Sequence, residues 1–595
     1  MERYSPTGNE MISLPTVNEL TGGIEAVGFL SMAAKGLIEL RGSIERPFLL
    51  PFFEIDGQRV ELNNLSCERE HYWIPKMRAE LSCGSAEITV LTPVGERGFA
   101  LRLELECESN CRAAMGLDGN WLETTHCVNE EKPVEGTKHC YESGWNGGII
   151  LDQRCGYPLF AIAPMCDREM SCEYECGESM SFRLRHEAEL EAGIPYTVTF
   201  FWGLGFEEVA AATSAKEMLR RTWEWEYAKT VRWLDERSEN LGSEKLNKIY
   251  NTNLFFCMFY STGITMDTEE LICATSRSPR YYVSAAYWDR DTLLWSFPAI
   301  LKADRELARE MLVYVFTRQS RNIGVHSRYI DGTVLEPGFE LDELMAPIIA
   351  LNNYVRETED RGILSERFIN DTIERILKTL RSMRHSDVAL YETFLQPTDD
   401  ELVYPYLTYD NVLVWKALIA LAGLYPEKYS ALAETAEETR LAIYNNCVFA
   451  DKDGKSYFGW SVDLNGNHDV YDEPPGSLQL LNHLGFCAED DEVWKNTVTM
   501  IRSKDYEFSF ADSPIAEIGC PHAPWPWVLS LCNSLLCGYK EQALNELKLT
   551  EMDNGIACES VDPVSGVCTT GAAFATCAGF LCYAIRTAVG GRHEN

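Results

Sequence analysis

The stretch AAYWDRDTLLW, residues 285–295, sets two aspartates and an arginine into a row of aromatic and aliphatic side chains. Charged side chains are seldom buried without a partner. Asp289, Arg290 and Asp291 therefore mark either a structural ion pair or a polar site built into a core segment. The segments around this stretch decide between the two.

C-terminal to it the chain is mostly helical. In ERFINDTIERILKTLRSM (366–383), Ile369, Ile373, Ile376 and Leu380 recur at spacings of four, three and four, which places them on one helical face. DELMAPIIALNNYVRETED, NVLVWKALIALAGLY and ALAETAEETRLAIYNN behave alike. N-terminal to it the pattern has period two. FALRLELECE (99–108) alternates Phe99, Leu101, Leu103 and Leu105 with Arg102, Glu104 and Glu106, as in an antiparallel sheet with one buried face. YTVTFFWGL (196–204) adds a β-branched and aromatic run. The expected organisation is an antiparallel β-sheet domain over 1–205, a helical linker over 206–245 and a helical domain over 246–595.

The net charge of −38, with only 53 basic residues, argues against nucleic acid or an anionic membrane surface as partner, since both demand a basic footprint. No apolar run is long enough to span a bilayer, and MERYSPTGNE does not read as a secretory leader. The 21 scattered cysteines lack paired C-x-x-C knuckles and read as reduced core thiols, so a cytoplasmic protein without a metal site or other cofactor is expected. The oligomeric state leaves no signature.

Between the helices lie long loops that combine carboxylates with aromatic rings: 276–295, 326–347, 389–411, 458–478, 519–529 and 553–576. Long loops in a compact domain are usually functional. The mixture suits a sugar, whose C–H faces stack on rings while its hydroxyls pair with Asp, Glu and Arg. Glycoside hydrolysis needs two carboxyl groups, one protonated for the leaving oxygen and one ionised for water or for direct attack. Ninety-one acids are too many for counting to choose the pair.

Four segments resemble the inverting glycosidases built on an (α/α)6 barrel, namely the bacterial glucoamylase-type enzymes and the amylo-α-1,6-glucosidase domains. YWDRDTLLW is similar to their W-x-R-D segment, and FELDELMAPIIAL to their Q-L-D-E segment, where Asp342 falls. LYETFLQ…YLTYDNVLVWKAL resembles the stretch that carries the acid glutamate, and NGIACESVDPVSGVCTTGAAFATCAGFL the stretch that carries the catalytic base. The resemblance covers about residues 250–590, and many bacterial members carry a β-sandwich before the barrel. It implies Glu559 as general base and Glu392 as general acid. Tyr391 stands where the family has tryptophan, and Asp399, Asp400 and Glu401 compete with Glu392. Arg290 and Asp291 would clamp the terminal sugar, with Asp291 also capping its helix. Trp288, Trp525 and Trp527 would stack on it, and Asp472 and Glu473 would bind outer hydroxyls. Asp289 is left either orienting Arg290 or facing solvent. An inverting pair would stand ~6.5–9.5 Å apart, with water between.

The expected activity is an inverting, exo-acting, metal-independent α-glycoside hydrolase that removes a terminal glucose. An α-mannosidase, an inverting disaccharide phosphorylase and a non-catalytic carbohydrate-binding protein are the alternatives. The carboxylate of Glu559 would repel the phosphate that a phosphorylase must bind.

Overall fold

The computed structural model describes residues 3–62, 65–155, 158–177 and 179–590. The chain divides into two compact units. One comprises Met1–Ser238 with Thr262–Glu270 and Arg277–Ala285; the other comprises Glu239–Ser261, Leu271–Ser276 and Ala286–Asn595.

The first unit is built from antiparallel sheets of six, eight and five strands. In the eight-stranded sheet Gly98–Cys107 lies between Gly84–Leu91 and Tyr196–Gly205, with Leu103 opposite both Ile88 and Val198. The alternation read from the sequence is the alternation of burial: Phe99, Leu101, Leu103 and Leu105 are buried, while Arg102, Glu104 and Glu106 are only partly covered. They join Leu117, Phe182 and Phe48 in one apolar core shared by the sheets, where Trp202 stacks on Phe99 at 6.0 Å. The stretch after the last long strand forms two helices, Glu208–Arg221 and Trp223–Arg237, separated by Thr222 at φ +73°, and both belong to this unit. The first lies close on the sheet because Gly203 has no side chain. A Cβ there would stand 2.3 Å from the Ala211 carbonyl oxygen, so only glycine admits the helix.

The second unit is helical. Leu341–Thr358, Thr408–Leu424, Val528–Leu536 and Ala575–Val589 bury residues on nearly every side. Arg305–Thr317, Arg367–Met383, Leu432–Asn446, Glu492–Ile501 and Lys540–Leu549 bury one face only. The two kinds alternate along much of the chain, and Thr408–Leu424 packs on both Leu341–Thr358 and Leu432–Asn446. Ile369, Ile373, Ile376 and Leu380 form the buried face of Arg367–Met383, as their spacing requires. Asp304 and Asp491 cap the helices that follow them, each accepting from two backbone N–H groups. Among the described residues no helix is long and apolar enough to cross a membrane.

Candidate active site

The stretch that opened the sequence winds into a π-helical turn, Arg290–Ser296, before the helix Phe297–Ala303. Such turns are rare and frequent at functional sites. All three charged residues are buried, and each has a different partner. The Asp289 carboxylate accepts from the Tyr287 hydroxyl at 2.5 Å and pairs with Arg328. It neither faces solvent nor contacts the Arg290 guanidinium; it anchors the turn. The Glu343 carboxylate fastens the same turn by accepting from the backbone N–H groups of Asp289 and Arg290, the latter at 2.9 Å. Asp291 accepts from the Thr576 hydroxyl at 2.8 Å, so its side chain reaches across to the last helix instead of capping its own. Burial pushes the Asp291 carboxyl up to about 7.

Arg290 is the hub. Its Nη1 donates to Glu340 at 3.0 Å and to Asp342 at 2.9 Å, and its Nη2 donates to Asp399 at 2.5 Å. Burial by itself would lower the guanidinium pKa, but Asp342, Glu340, Asp399 and Glu343 outweigh it and keep the group charged. His326 completes the cluster. Its Nδ1 lies 3.1 Å from Glu340 and 3.6 Å from Asp399, and its ring meets Trp288 edge-on at 5.6 Å. Among the described residues, His326, Glu340 and Asp399, and also Glu340, Asp342 and Glu343, offer donor atoms within 4.8 Å of one another, close enough for a metal ion. The Arg290 guanidinium already bonds three of those carboxylates, so a second cation would have to displace it.

The acid-bearing loop is held from below. Glu473, fully buried, accepts from the Thr398 N–H at 2.8 Å and contacts its hydroxyl at 2.9 Å. The turn it fixes places Asp399, at a left-handed φ of +67°, against Arg290. A non-glycine residue in that conformation is strained and is held by its surroundings. Asp400 follows, half exposed, with Oδ2 3.1 Å from the Thr398 hydroxyl and 3.5 Å from His522 Nδ1.

Glu559 is 2% exposed. Its carboxylate accepts from the Thr570 hydroxyl at 2.8 Å, and its backbone is pinned to Gly571 and to Val528 at 3.0 Å each. Two thiols relate it to the other acids. Burial, then the charges of Cys532, Glu559 and Asp291, push up the Cys577 thiol. Burial, then Glu473, with a smaller contribution from Glu559, pushes up Cys520.

Of the residues selected from the sequence, Arg290 pairs with Asp291 and Asp342, Glu473 holds the turn whose Asp399 meets Arg290, and Glu559 acts with Asp291 on the Cys577 thiol. Others stand differently. Glu392 is exposed, and its side chain takes one hydrogen bond, from Tyr406 at 3.0 Å. Tyr391 turns its phenol toward Thr439 and Arg384. Asp472 is fully buried and spent on local structure, accepting from the Ser477 hydroxyl at 2.6 Å and the Leu478 N–H at 2.7 Å. Trp288 and Trp527 are buried, and the Trp527 indole donates to Ala523. Trp525, 38% exposed, is the tryptophan of the three with a face left for a ligand.

Sequence reading missed Glu340, Glu343, Arg328 and Asp410. The first two flank Asp342 in FELDEL, and the density of acids there was the available signal. Asp410 gave none. Among the described residues both its carboxyl oxygens are buried without a hydrogen-bond partner, and burial followed by Asp342 and Glu340 raises its pKa well above the usual range.

Residues 382–585 match the sequence profile of a family described as metal-independent alpha-mannosidase (GH125). A search of curated proteins by sequence finds no match. Among solved structures, a Streptococcus pneumoniae protein of a family of metal-independent alpha mannosidases, in a non-productive complex with alpha-1,6-mannobiose, superposes with a TM-score of 0.54 at 18% identity, over 61% of this chain and 98% of its own. A bacterial glucoamylase complexed with acarbose gives 0.64 at 12% identity, over 99% of this chain and 95% of its own. A protein from the human microbiome described as a kojibiose phosphorylase gives 0.60 at 11% identity, over 98% and 86%. The chain therefore shares the two-part fold of the glucoamylase and the phosphorylase, and over 382–585, the stretch that holds the Asp399–Asp400 turn, Glu473 and Glu559, it matches the α-mannosidase profile.

Proposed function

We propose that the protein is an inverting, exo-acting α-glycosidase whose terminal sugar is an α-mannoside. The single observation that carries this reading is the position of Glu559. It is a buried, hydrogen-bonded carboxylate in the segment that matches the α-mannosidase profile, and it acts on the same buried Cys577 thiol as Asp291. The profile favours mannose over the glucose expected from glucoamylase resemblance alone. The alternation of wholly and half-buried helices supports an (α/α)6 barrel over about 246–595, after a β-sandwich domain over 1–205 and the helical stretch 206–245.

In this mechanism Glu559 takes a proton from a water that attacks the anomeric carbon, and a second carboxyl protonates the leaving oxygen. We assign that acid to Asp400. Glu392 bonds to Tyr406 and not to the Arg290 cluster, and the Asp399 side chain is taken up by the Arg290 guanidinium. Arg290, Asp291 and Asp342 are at most 5% exposed, and a sugar clamp so deeply buried supports an exo action on a chain end.

The test is hydrolysis of aryl α-mannosides and α-glucosides, with and without phosphate, with the anomer of the released sugar followed by NMR. A first-formed β-anomer of mannose, independent of phosphate, is expected. Turnover that requires phosphate would replace hydrolysis with phosphorolysis, and a first-formed α-anomer would rule out inversion.

A further inference from the structure

The hydroxyl of Thr398 lies between two carboxyl groups, 2.9 Å from Glu473 Oε2 and 3.1 Å from Asp400 Oδ2. It has one proton and two lone pairs. One lone pair is engaged by Gln396 Nε2 at 3.3 Å. The orientation of that amide is set by Trp460, whose indole N–H donates to Gln396 Oε1 at 3.1 Å and can only donate. Thr398 therefore has one proton to give and one lone pair left, with a carboxyl on each side. Were both carboxyls ionised, one of the two contacts would set lone pair against lone pair. The arrangement closes only if one carboxyl carries a proton, donates it to Thr398, and leaves Thr398 to donate to the other.

We propose that Glu473 is a buried proton reservoir for Asp400, connected to it through the Thr398 hydroxyl. This rests on the reading of Asp400 as the acid. Asp400 carries a proton of its own on Oδ1, the oxygen that does not face Thr398; when that proton has passed to the departing oxygen, the Thr398 proton passes to Asp400 Oδ2 and the Glu473 proton passes to Thr398 Oγ1. At each step one O–H bond breaks and one forms, and Glu473 is left as the carboxylate. The chain refills in reverse when Asp400 takes a proton from solvent after product leaves. Glu473 is the member suited to hold the proton shared through Thr398 in the free enzyme. It is fully buried, whereas Asp400 is half exposed, and burial raises the Glu473 carboxyl well above its usual range. The groups facing it are Arg290, Asp410, Asp472, Tyr471, Tyr506 and Cys520, of which Arg290 opposes the shift. His522 faces Asp400 from the far side.

Glu473→Gln separates proton supply from positioning. Its amide can still accept from the Thr398 N–H and donate to the Thr398 hydroxyl, which can still donate to Asp400, but it has no proton to transfer. The experiment compares kcat and KM on α-mannobiose, whose leaving group needs a proton, with those on dinitrophenyl α-mannoside, whose leaving group does not. Glu473→Gln and Thr398→Val are expected to lower kcat on mannobiose by about 10²-fold, with KM and the dinitrophenyl rate within about threefold of wild type. Thr398→Ser is expected to restore the mannobiose rate. Wild-type kcat on mannobiose in Glu473→Gln, or an equal loss on both substrates, would overturn the proposal. Asp400→Asn reports on the reading beneath it. If Asp400→Asn does not discriminate between the substrates, the acid assignment fails and the reservoir with it. If it discriminates while Glu473→Gln does not, only the reservoir fails.

Discussion

Arg328 and Asp289 form an ion pair in which both side chains are fully buried. Arg328 also donates to the Gln319 carbonyl at 3.0 Å, and Tyr287 to Asp289. Removing one member of such a pair leaves an uncompensated charge in the interior. Arg328→Met is expected to destabilise the protein by about 3–5 kcal/mol in urea unfolding, and a second change, Asp289→Leu, to recover much of that loss. A single substitution that unfolds like wild type would mean that the pair does not hold the turn.

Glu559→Gln removes the group assigned to activate water while keeping its shape and its bond from Thr570. A fall in kcat of about 10³–10⁴-fold is expected, with KM and the thermal midpoint nearly unchanged. Retained turnover would remove Glu559 from the role of base.

Asp291 stands between Thr576 and the Arg290 cluster, and its loss should harm recognition and rate together. Asp291→Ala is expected to raise KM and lower kcat, each by about tenfold or more. Unchanged constants would remove Asp291 from the sugar clamp.

Glu392→Gln distinguishes the two candidates for the acid. Because its side chain, among the described residues, bonds only to Tyr406 at the surface, less than about a tenfold loss in kcat is expected on any substrate. A loss larger than that of Asp400→Asn, confined to poor leaving groups, would return the role to Glu392.

Burial pushes the Asp472 carboxyl up to about 7 from its unfolded value of 3.8, against the bonds from Ser477 and Leu478. A raised carboxyl adds stability that is fully present below its unfolded pKa and is lost as pH rises through the folded one. Wild type should therefore lose thermal stability between about pH 4 and about pH 8, and Asp472→Asn should flatten that slope. Parallel slopes in the two proteins would show that Asp472 does not titrate there.

Periodicity carried the fold reading well. Period two at Phe99–Leu105 and the four-three-four spacing at Ile369–Leu380 are local properties of a strand and of a helix, and both appear as buried faces. The two helices at 208–237 were less legible. Their alanine-rich face reads as a helix from sequence, but its seat on the sheet depends on the missing side chain of Gly203, a contact that forms only when the helix folds back on the strand before it.

The site divides along the same line. Residue chemistry by itself determined that AAYWDRDTLLW holds paired charge, that acids and aromatics share the loops, and that Glu559 lies in a segment like that of a catalytic base. Which acid partners which cation was decided by the tertiary structure, because a carboxylate finds its partner through space. Asp289 pairs with Arg328, 39 residues away; Arg290 with Asp399, 109 away; Asp291 with Thr576, 285 away. The same holds for the two candidate acids. Glu392 and Asp400 are eight positions apart and alike in chemistry, and only the fold sets Glu392 against Tyr406 and Asp400 against Thr398, with Glu473 buried on the other side of that hydroxyl.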